Sequence, residues 1–243
     1  MLLISAVALS YLIGSIPSAY ILGRLAKGID IRKHGSGNVG ATNAFRVLGP
    51  YIGITVLFLD ALKGFICVVI VADFIMVQES MSLRAQVQHF PIPLLKSLQV
   101  IAGGDFLVQQ GLGLNSLLLR ILLGIAAVLG HSLTIFLSFK GGKGMATTLG
   151  VLIGFAVKIP ALKIILLAEI LLWLAVFSIS RIVSLASIVS AVLFPLFFIV
   201  LKQPMPLILM GLTLAIFVII RHKSNIYRLL HNQEPRLNLR RKP

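Results

Sequence analysis

The chain has 243 residues, of which 58% are hydrophobic and 12% charged, and its mean hydropathy is +1.02. A soluble domain carries about twice that charge, so the composition excludes an ordinary water-soluble fold and points to an all-α integral membrane protein. The net charge of +15 comes from 22 Lys and Arg against 7 Asp and Glu; it gathers in short loops and the tail, which suits anionic lipid and phosphate substrates and argues against nucleic acid.

Spanning helices need roughly 20 apolar residues each. About seven are predicted, forming one polytopic membrane domain over 1–243: residues 1–22, 51–73, 115–138, 147–158, 161–179, 184–201 and 206–220. The first has no basic residue before its apolar run and meets Arg24 only after it, which favours a retained span over a cleaved signal peptide. Residues 74–114 read as one long extracytoplasmic loop with room for an interfacial helix, and 221–243 as a basic cytoplasmic tail. The fourth segment is short for a crossing; its Gly150 and Gly154 offer a small-residue face for close packing. Pro160 and the pair Pro204 and Pro206 mark turns.

Loop charge sets the orientation. The loops 23–50 and 139–146, Arg181 and the tail carry fifteen Lys and Arg, whereas the opposite side carries only Arg84, Lys96, Lys158, Lys163 and Lys202. The N-terminus is therefore expected outside and the C-terminus in the cytoplasm.

Polar motifs interrupt the spans on the basic side. His34 to Arg46 reads His-Gly-Ser-Gly-Asn-Val-Gly-Ala-Thr-Asn-Ala-Phe-Arg. Gly35, Gly37 and Gly40 match a dinucleotide fingerprint in spacing, but the flanks are membrane spans and not strands of a βαβ unit. Ala41–Leu48 is expected to form a short helix whose free amides face an anion, with the planar fork of Arg46 suited to phosphate oxygens. In the second span, Asp60 and Lys63 are spaced to pair as a structural ion pair, and His131 in the third reads as a satisfied structural histidine. Phe139-Lys-Gly-Gly-Lys-Gly144 lacks the Gly-Lys-Ser/Thr of a nucleotide-binding loop, so it reads as a second cationic glycine loop. Glu169 stands alone in the fifth span. Ser184 and Ser187 share one face of the sixth, and His222 and Asn225 share one face at the end of the last.

What is missing also limits the chemistry. The single cysteine, Cys67, allows neither a disulfide nor a cysteine metal cluster, and no Cys/His spacing suits a metal. The cytoplasmic loops hold only Asp30 and Glu234 as acids, so neither a carboxylate base nor a carboxylate-bound metal is expected. Positioning and positive charge, acting on an already activated substrate and with no cofactor, remain.

The sequence resembles the bacterial acyl-phosphate:glycerol-3-phosphate acyltransferase family, the PlsY type. The resemblance rests on Gly35–Asn43 with Arg46, Leu59-Asp-x-x-Lys-Gly64, Gly130-His131, Phe139–Gly144 with Ala146-Thr147, Val183-Ser-Leu-Ala-Ser187 and Arg221-His-x-x-Asn-Ile226. The loop 74–114 is longer than the family leads one to expect. The resemblance implies a multi-pass enzyme of the bacterial inner membrane. It would move an acyl group from acyl phosphate to the 1-hydroxyl of glycerol 3-phosphate, giving lysophosphatidic acid and phosphate. It also implies membrane lipid as surroundings and contact with the soluble enzyme that makes acyl phosphate. Carried onto this chain, Ser36, Arg46, Lys143 and Ser187 would hold the acyl phosphate, with Gly37, Asn38, Gly40, Thr42, Asn43, Gly141, Gly142 and Ser184 lining the substrate site. His222 and Asn225 would hold glycerol 3-phosphate, and the proton acceptor would be His222 or a substrate phosphate oxygen. A carrier for phosphorylated solutes is the rival reading, but carriers place binding groups near the bilayer midplane.

Overall fold

The computed structural model describes residues 2–87 and 106–237, and every regular element among them is helical. In chain order these are α1 (Leu2–Ser15), α2 (Ser18–Lys27), α3 (Ala41–Leu48), α4 (Pro50–Ile66), a π-helical turn (Cys67–Val71) and α5 (Ala72–Val87). They continue with α6 (Phe106–Ser132), α7 (Met145–Lys158), α8 (Lys163–Ser180), α9 (Val183–Val200), α10 (Met205–Arg221) and α11 (Lys223–Leu230). Among the described residues, five stretches are long and apolar enough to cross a membrane: 2–27, 50–79, 116–137, 160–180 and 183–200. Joined to α11 across a 61° bend, α10 makes a sixth, and α7 is a shorter apolar helix.

Local sequence explains the boundaries. Pro17 removes a backbone donor and splits the first span into α1 and α2. Gly28 ends α2 in the left-handed region, its N–H returning to the carbonyls of Arg24 and Gly23. Pro50 starts α4 and Pro204 precedes α10. The helix expected after Gly40 forms over Ala41–Leu48. The second span runs farther than 51–73, because the π turn carries it into α5 without a break. That turn accommodates an inward charge: Arg120 of α6 donates to the Val68 carbonyl at 2.5 Å and to Asp73 at 2.5 Å, and Lys158 also pairs with Asp73.

The reading of 74–114 as a loop therefore changes. Residues 74–87 and 106–114 continue helices α5 and α6; 88–105 lie outside the described residues, as do tail residues 238–243.

Small residues bring helices into backbone contact. A methyl at Gly14 or Gly130 would collide with the facing backbone between α1 and α6, and one at Gly64 or Gly150 would do so between α4 and α7. The main core, including Phe155, Ile165, Phe198, Met210 and Leu214, lies between α7, α8, α9 and α10. A second cluster around Cys67 and Leu123 joins α1, α5 and α6, and a third, with Ile31, Ala44 and Val56, supports the loop before α3. The outer surface is apolar: Ile54, Phe58, Leu171, Val200 and Ile216 are exposed, as lipid-facing side chains are.

Candidate active site

One cavity of about 900 Å³ collects almost all the polar motifs. Its lining draws on the starts of four helices: Ala41 and Thr42 of α3, Met145 and Ala146 of α7, Val183 and Ser184 of α9, and Asn225 of α11. A helix start carries free N–H groups and roughly half a positive charge, as α3, α7 and α9 do here, whereas at α11 the Asn225 N–H already bonds the His222 carbonyl. Arg46, Lys143 and Arg228 line the same space, so its mouth is an anion site before any ligand enters. The residues alone point to two of these helix starts as anion-binding glycine loops, and the family resemblance brings residues of all four into one substrate site, as the cavity does.

The first glycine loop is held by Asn43. This side chain is buried; its Oδ1 accepts from the Ser36 amide at 2.9 Å, and its Nδ2 donates to the carbonyls of Ile31, His34 and Asn38. Asn43 thus borders the cavity with its polar atoms engaged in shaping the loop. Gly37 has φ +72 and forms the turn without lining the cavity, whereas Ser36, Asn38, Gly40, Thr42 and Arg46 do line it. Desolvation lowers the Arg46 pKa from its ordinary value, against the attraction of Glu234.

The second loop is clamped from behind. The amides of Gly141 and Gly142 donate to the carbonyls of Ser132 and His131, each at 3.1 Å. Arg221 Nη2 donates to the carbonyls of Ser132, Gly141 and Gly142. Gly141 and Gly142, expected to line the substrate site, therefore do not face the cavity, because the end of α6 takes their N–H groups. Lys143 and Gly144 do face it. On the same cavity wall, His131 Nδ1 sits 3.6 Å from Asp60 Oδ1, which also pairs with Lys63 at 2.6 Å. The expected ion pair and structural histidine are thus one cluster; a methyl at Gly142 would strike the imidazole.

Lys143 donates to Asn225 Oδ1. Its pKa falls from 10.5 to about 8, chiefly through desolvation, with Glu234 opposing and Arg228, Arg46 and Arg221 adding to the fall. His222 is buried just past the end of α10, and its Nδ1 faces the Val218 carbonyl at 2.8 Å. A carbonyl only accepts, so Nδ1 carries the proton and Nε2 keeps a lone pair. Burial pushes the His222 pKa down to about 4, assisted by Lys143 and Arg221 and opposed by the Val218 carbonyl and Glu234. The imidazole is neutral near pH 7.

The tail supplies what the sequence reading missed. Glu234 accepts from Ser184 Oγ at 2.7 Å, Asn225 Nδ2 at 2.6 Å and Arg228 Nε at 2.7 Å. These bonds hold its pKa below the ordinary carboxylate value, although desolvation, the largest single influence, acts the other way. Arg46 Nη2 donates to the Pro235 carbonyl, and the Leu237 amide to the Arg181 carbonyl, so residues 234–237 run along the mouth. The sequence names Glu234 only as one of two cytoplasmic acids and places it in no site; the fold brings it to the cavity, where Arg228 bonds it and Arg46 and Lys143 attract it. The available signal was a lone Glu in an otherwise basic segment. Ser187 lines the cavity and accepts from Trp173 Nε1 at 3.3 Å. Among the described residues, no group of three or more His, Cys, Asp or Glu could hold a metal ion.

A family model described as glycerol-3-phosphate acyltransferase matches residues 4–232. The chain belongs to the glycerol-3-phosphate acyltransferase family. A relative of that name from Trichormus variabilis is 40% identical over 96% of this chain and 91% of its own length. Another from Fusobacterium nucleatum is 37% identical over 94% of each. The crystal structure of PlsY (YgiH), an integral membrane glycerol 3-phosphate acyltransferase, in its glycerol 3-phosphate form aligns with TM-score 0.72 and 36% identity over 97% of this chain and 96% of that one. Its lysophosphatidic acid form aligns with TM-score 0.70 and 35% identity over 97% and 95%. Family membership and the apolar helices together make this chain an integral, multi-pass membrane protein.

Proposed function

We propose that the chain transfers an acyl group from acyl phosphate to the 1-hydroxyl of sn-glycerol 3-phosphate, releasing lysophosphatidic acid and phosphate, at the cytoplasmic face of the bacterial inner membrane. The observation that carries this reading is one cavity with a cationic mouth continuing among Leu57, Leu149, Leu152, Trp173 and Phe194. Phosphate groups suit the first part and an acyl chain the second. The relatives' names and the ligands of the solved forms supply the acceptor and the product.

Ser36, Arg46, Lys143 and Ser187 hold the acyl phosphate in this reading. Glycerol 3-phosphate lies against His222 and Asn225, with its hydroxyl donating to the free Nε2. The hydroxyl oxygen attacks the acyl carbon, the bond to phosphate breaks, and Lys143 and Arg46 stabilise the charge on the departing phosphate. A histidine with a pKa of about 4 is a weak base at neutral pH. His222 therefore orients the hydroxyl, and a substrate phosphate oxygen takes the proton. The helix starts and cations leave no step that needs a metal or cofactor.

Seven crossings, with the N-terminus outside, accommodate the five long spans, α10 and α7. The charge bias supports that arrangement, and the basic loops it places in the cytoplasm give a surface for the soluble enzyme that makes acyl phosphate. The test is lysophosphatidic acid formation by the purified protein. Palmitoyl phosphate with glycerol 3-phosphate should yield product, and palmitoyl-CoA in its place should not. Product from the thioester alone would overturn the choice of donor.

A further inference from the structure

The cavity does not end in hydrocarbon. The deepest α8 side chain on its wall is Glu169, eleven residues before Ser180 and so roughly 16 Å below that helix end at 1.5 Å per residue. In a hydrocarbon core of about 30 Å this is close to the middle. The register between α8 and α9 is fixed by Trp173 Nε1 bonding Ser187 Oγ at 3.3 Å. One turn deeper on both helices, Glu169 comes beside Ser190, which also lines the cavity. Glu169 is 8% exposed and Ser190 1%. Glu169 and Ser190 meet each other, and the buried Glu169 Oε1 and Ser190 Oγ find no other hydrogen-bond partner among the described residues.

A carboxyl and a hydroxyl with only each other as partners at bilayer depth, on the wall of a cavity and not in a packed interface, mark a place where something else meets them. We propose that Glu169 and Ser190 form a hydrogen-bonding floor to the acyl cavity and select among acyl donors by what they place there; this rests on the acyl-phosphate reading above. A chain that stops short leaves both groups to water. A plain chain that reaches them displaces that water and offers only methylene or methyl in return, which disfavours it. A chain carrying a hydroxyl at that depth offers both a donor and an acceptor, and so replaces the water. The floor thus favours shorter saturated chains, or longer ones with a terminal hydroxyl.

The purified full-length protein in lipid nanodiscs is supplied with saturating glycerol 3-phosphate and saturated acyl phosphates of increasing length, each beside its ω-hydroxy counterpart. Once the chain end reaches the floor, kcat/KM for the plain donor should fall about tenfold, the effect of one unmet hydrogen bond, and the ω-hydroxyl should restore it. Glu169→Leu should reverse this order, favouring the plain long chain, and Glu169→Gln should keep it. Ratios between two donors on one preparation do not depend on its folded fraction, and the ω-hydroxyl comparison in the unaltered protein needs no variant. An unchanged order in Glu169→Leu, or no gain from the ω-hydroxyl at any length, overturns the floor while acyl transfer stands. Failure of every acyl phosphate overturns the donor reading and the floor with it.

Discussion

Replacing Glu234 with Gln removes one negative charge and keeps the shape. In the native protein Oε1 accepts from Ser184 and Asn225, and Oε2 accepts from Arg228. If the amide oxygen occupies the Oε1 place, its NH₂ faces the Arg228 guanidinium, donor against donor. If it turns over, the Ser184 and Asn225 bonds are lost. The first arrangement gives up one charge-assisted bond, worth about 1.5–3 kcal/mol. Arg228 is 35% exposed, so water screens the loss toward the low end. That corresponds to about tenfold or more in kcat/KM for glycerol 3-phosphate, since Asn225 also receives the Lys143 ammonium. A second effect separates this role from simple loss of fold. Glu234 is the group that raises the Lys143 pKa against desolvation. Without it the ammonium releases its proton at lower pH, so the alkaline decline in kcat/KM moves below its native position near pH 8. The assay is a pH profile of lysophosphatidic acid formation at limiting glycerol 3-phosphate. A native KM with an unshifted alkaline limb in Glu234→Gln would refute the reasoning.

Four further outcomes are expected. Lys143→Ala should lower turnover roughly 10²–10³-fold. In the native enzyme kcat/KM should decline as pH rises through about 8, since a pKa below its free value means the charge is lost sooner; undiminished rates at pH 9.5 in steady-state assays would contradict this. Gly142→Ala drives a methyl into the His131 ring and displaces the loop bearing Lys143, so KM for the phosphate substrates should rise at least several-fold, and unchanged kinetics in folded protein would contradict the clamp. Cysteine in place of Lys202 should react with an impermeant thiol reagent in intact cells while cysteine in place of Lys33 should not, native Cys67 being buried and silent; the opposite labelling would invert the orientation.

Much of the fold was legible because lipid imposes one rule, a long apolar helix, and the chain obeys it over most of its length. The helix over Ala41–Leu48 and the Asp60–Lys63 pair followed from spacing alone. The extension of the second span into α5 did not, because Asp73 and Glu79 look like a loop until Arg120 and Lys158 are seen meeting Asp73. In the site, Ser36, Arg46, Lys143, Ser184, Ser187, His222 and Asn225 do share one cavity. Gly141 and Gly142 were read as phosphate donors because a glycine loop in sequence shows free amides, and only the packed end of α6 shows where they point. Glu234 escaped because a carboxylate gains its role from Arg46, Lys143 and Arg228 brought together by the fold, and none of them is its close neighbour in sequence except Arg228.

The central claim is that one cationic site passes the acyl group directly between two phosphate-bearing substrates. Phosphate release from palmitoyl phosphate by the purified protein, in excess chelator, measures it most directly. The expected result is release that depends on glycerol 3-phosphate and matches lysophosphatidic acid formed mole for mole. A stoichiometric burst of phosphate without glycerol 3-phosphate would show an acyl-enzyme instead and contradict direct transfer.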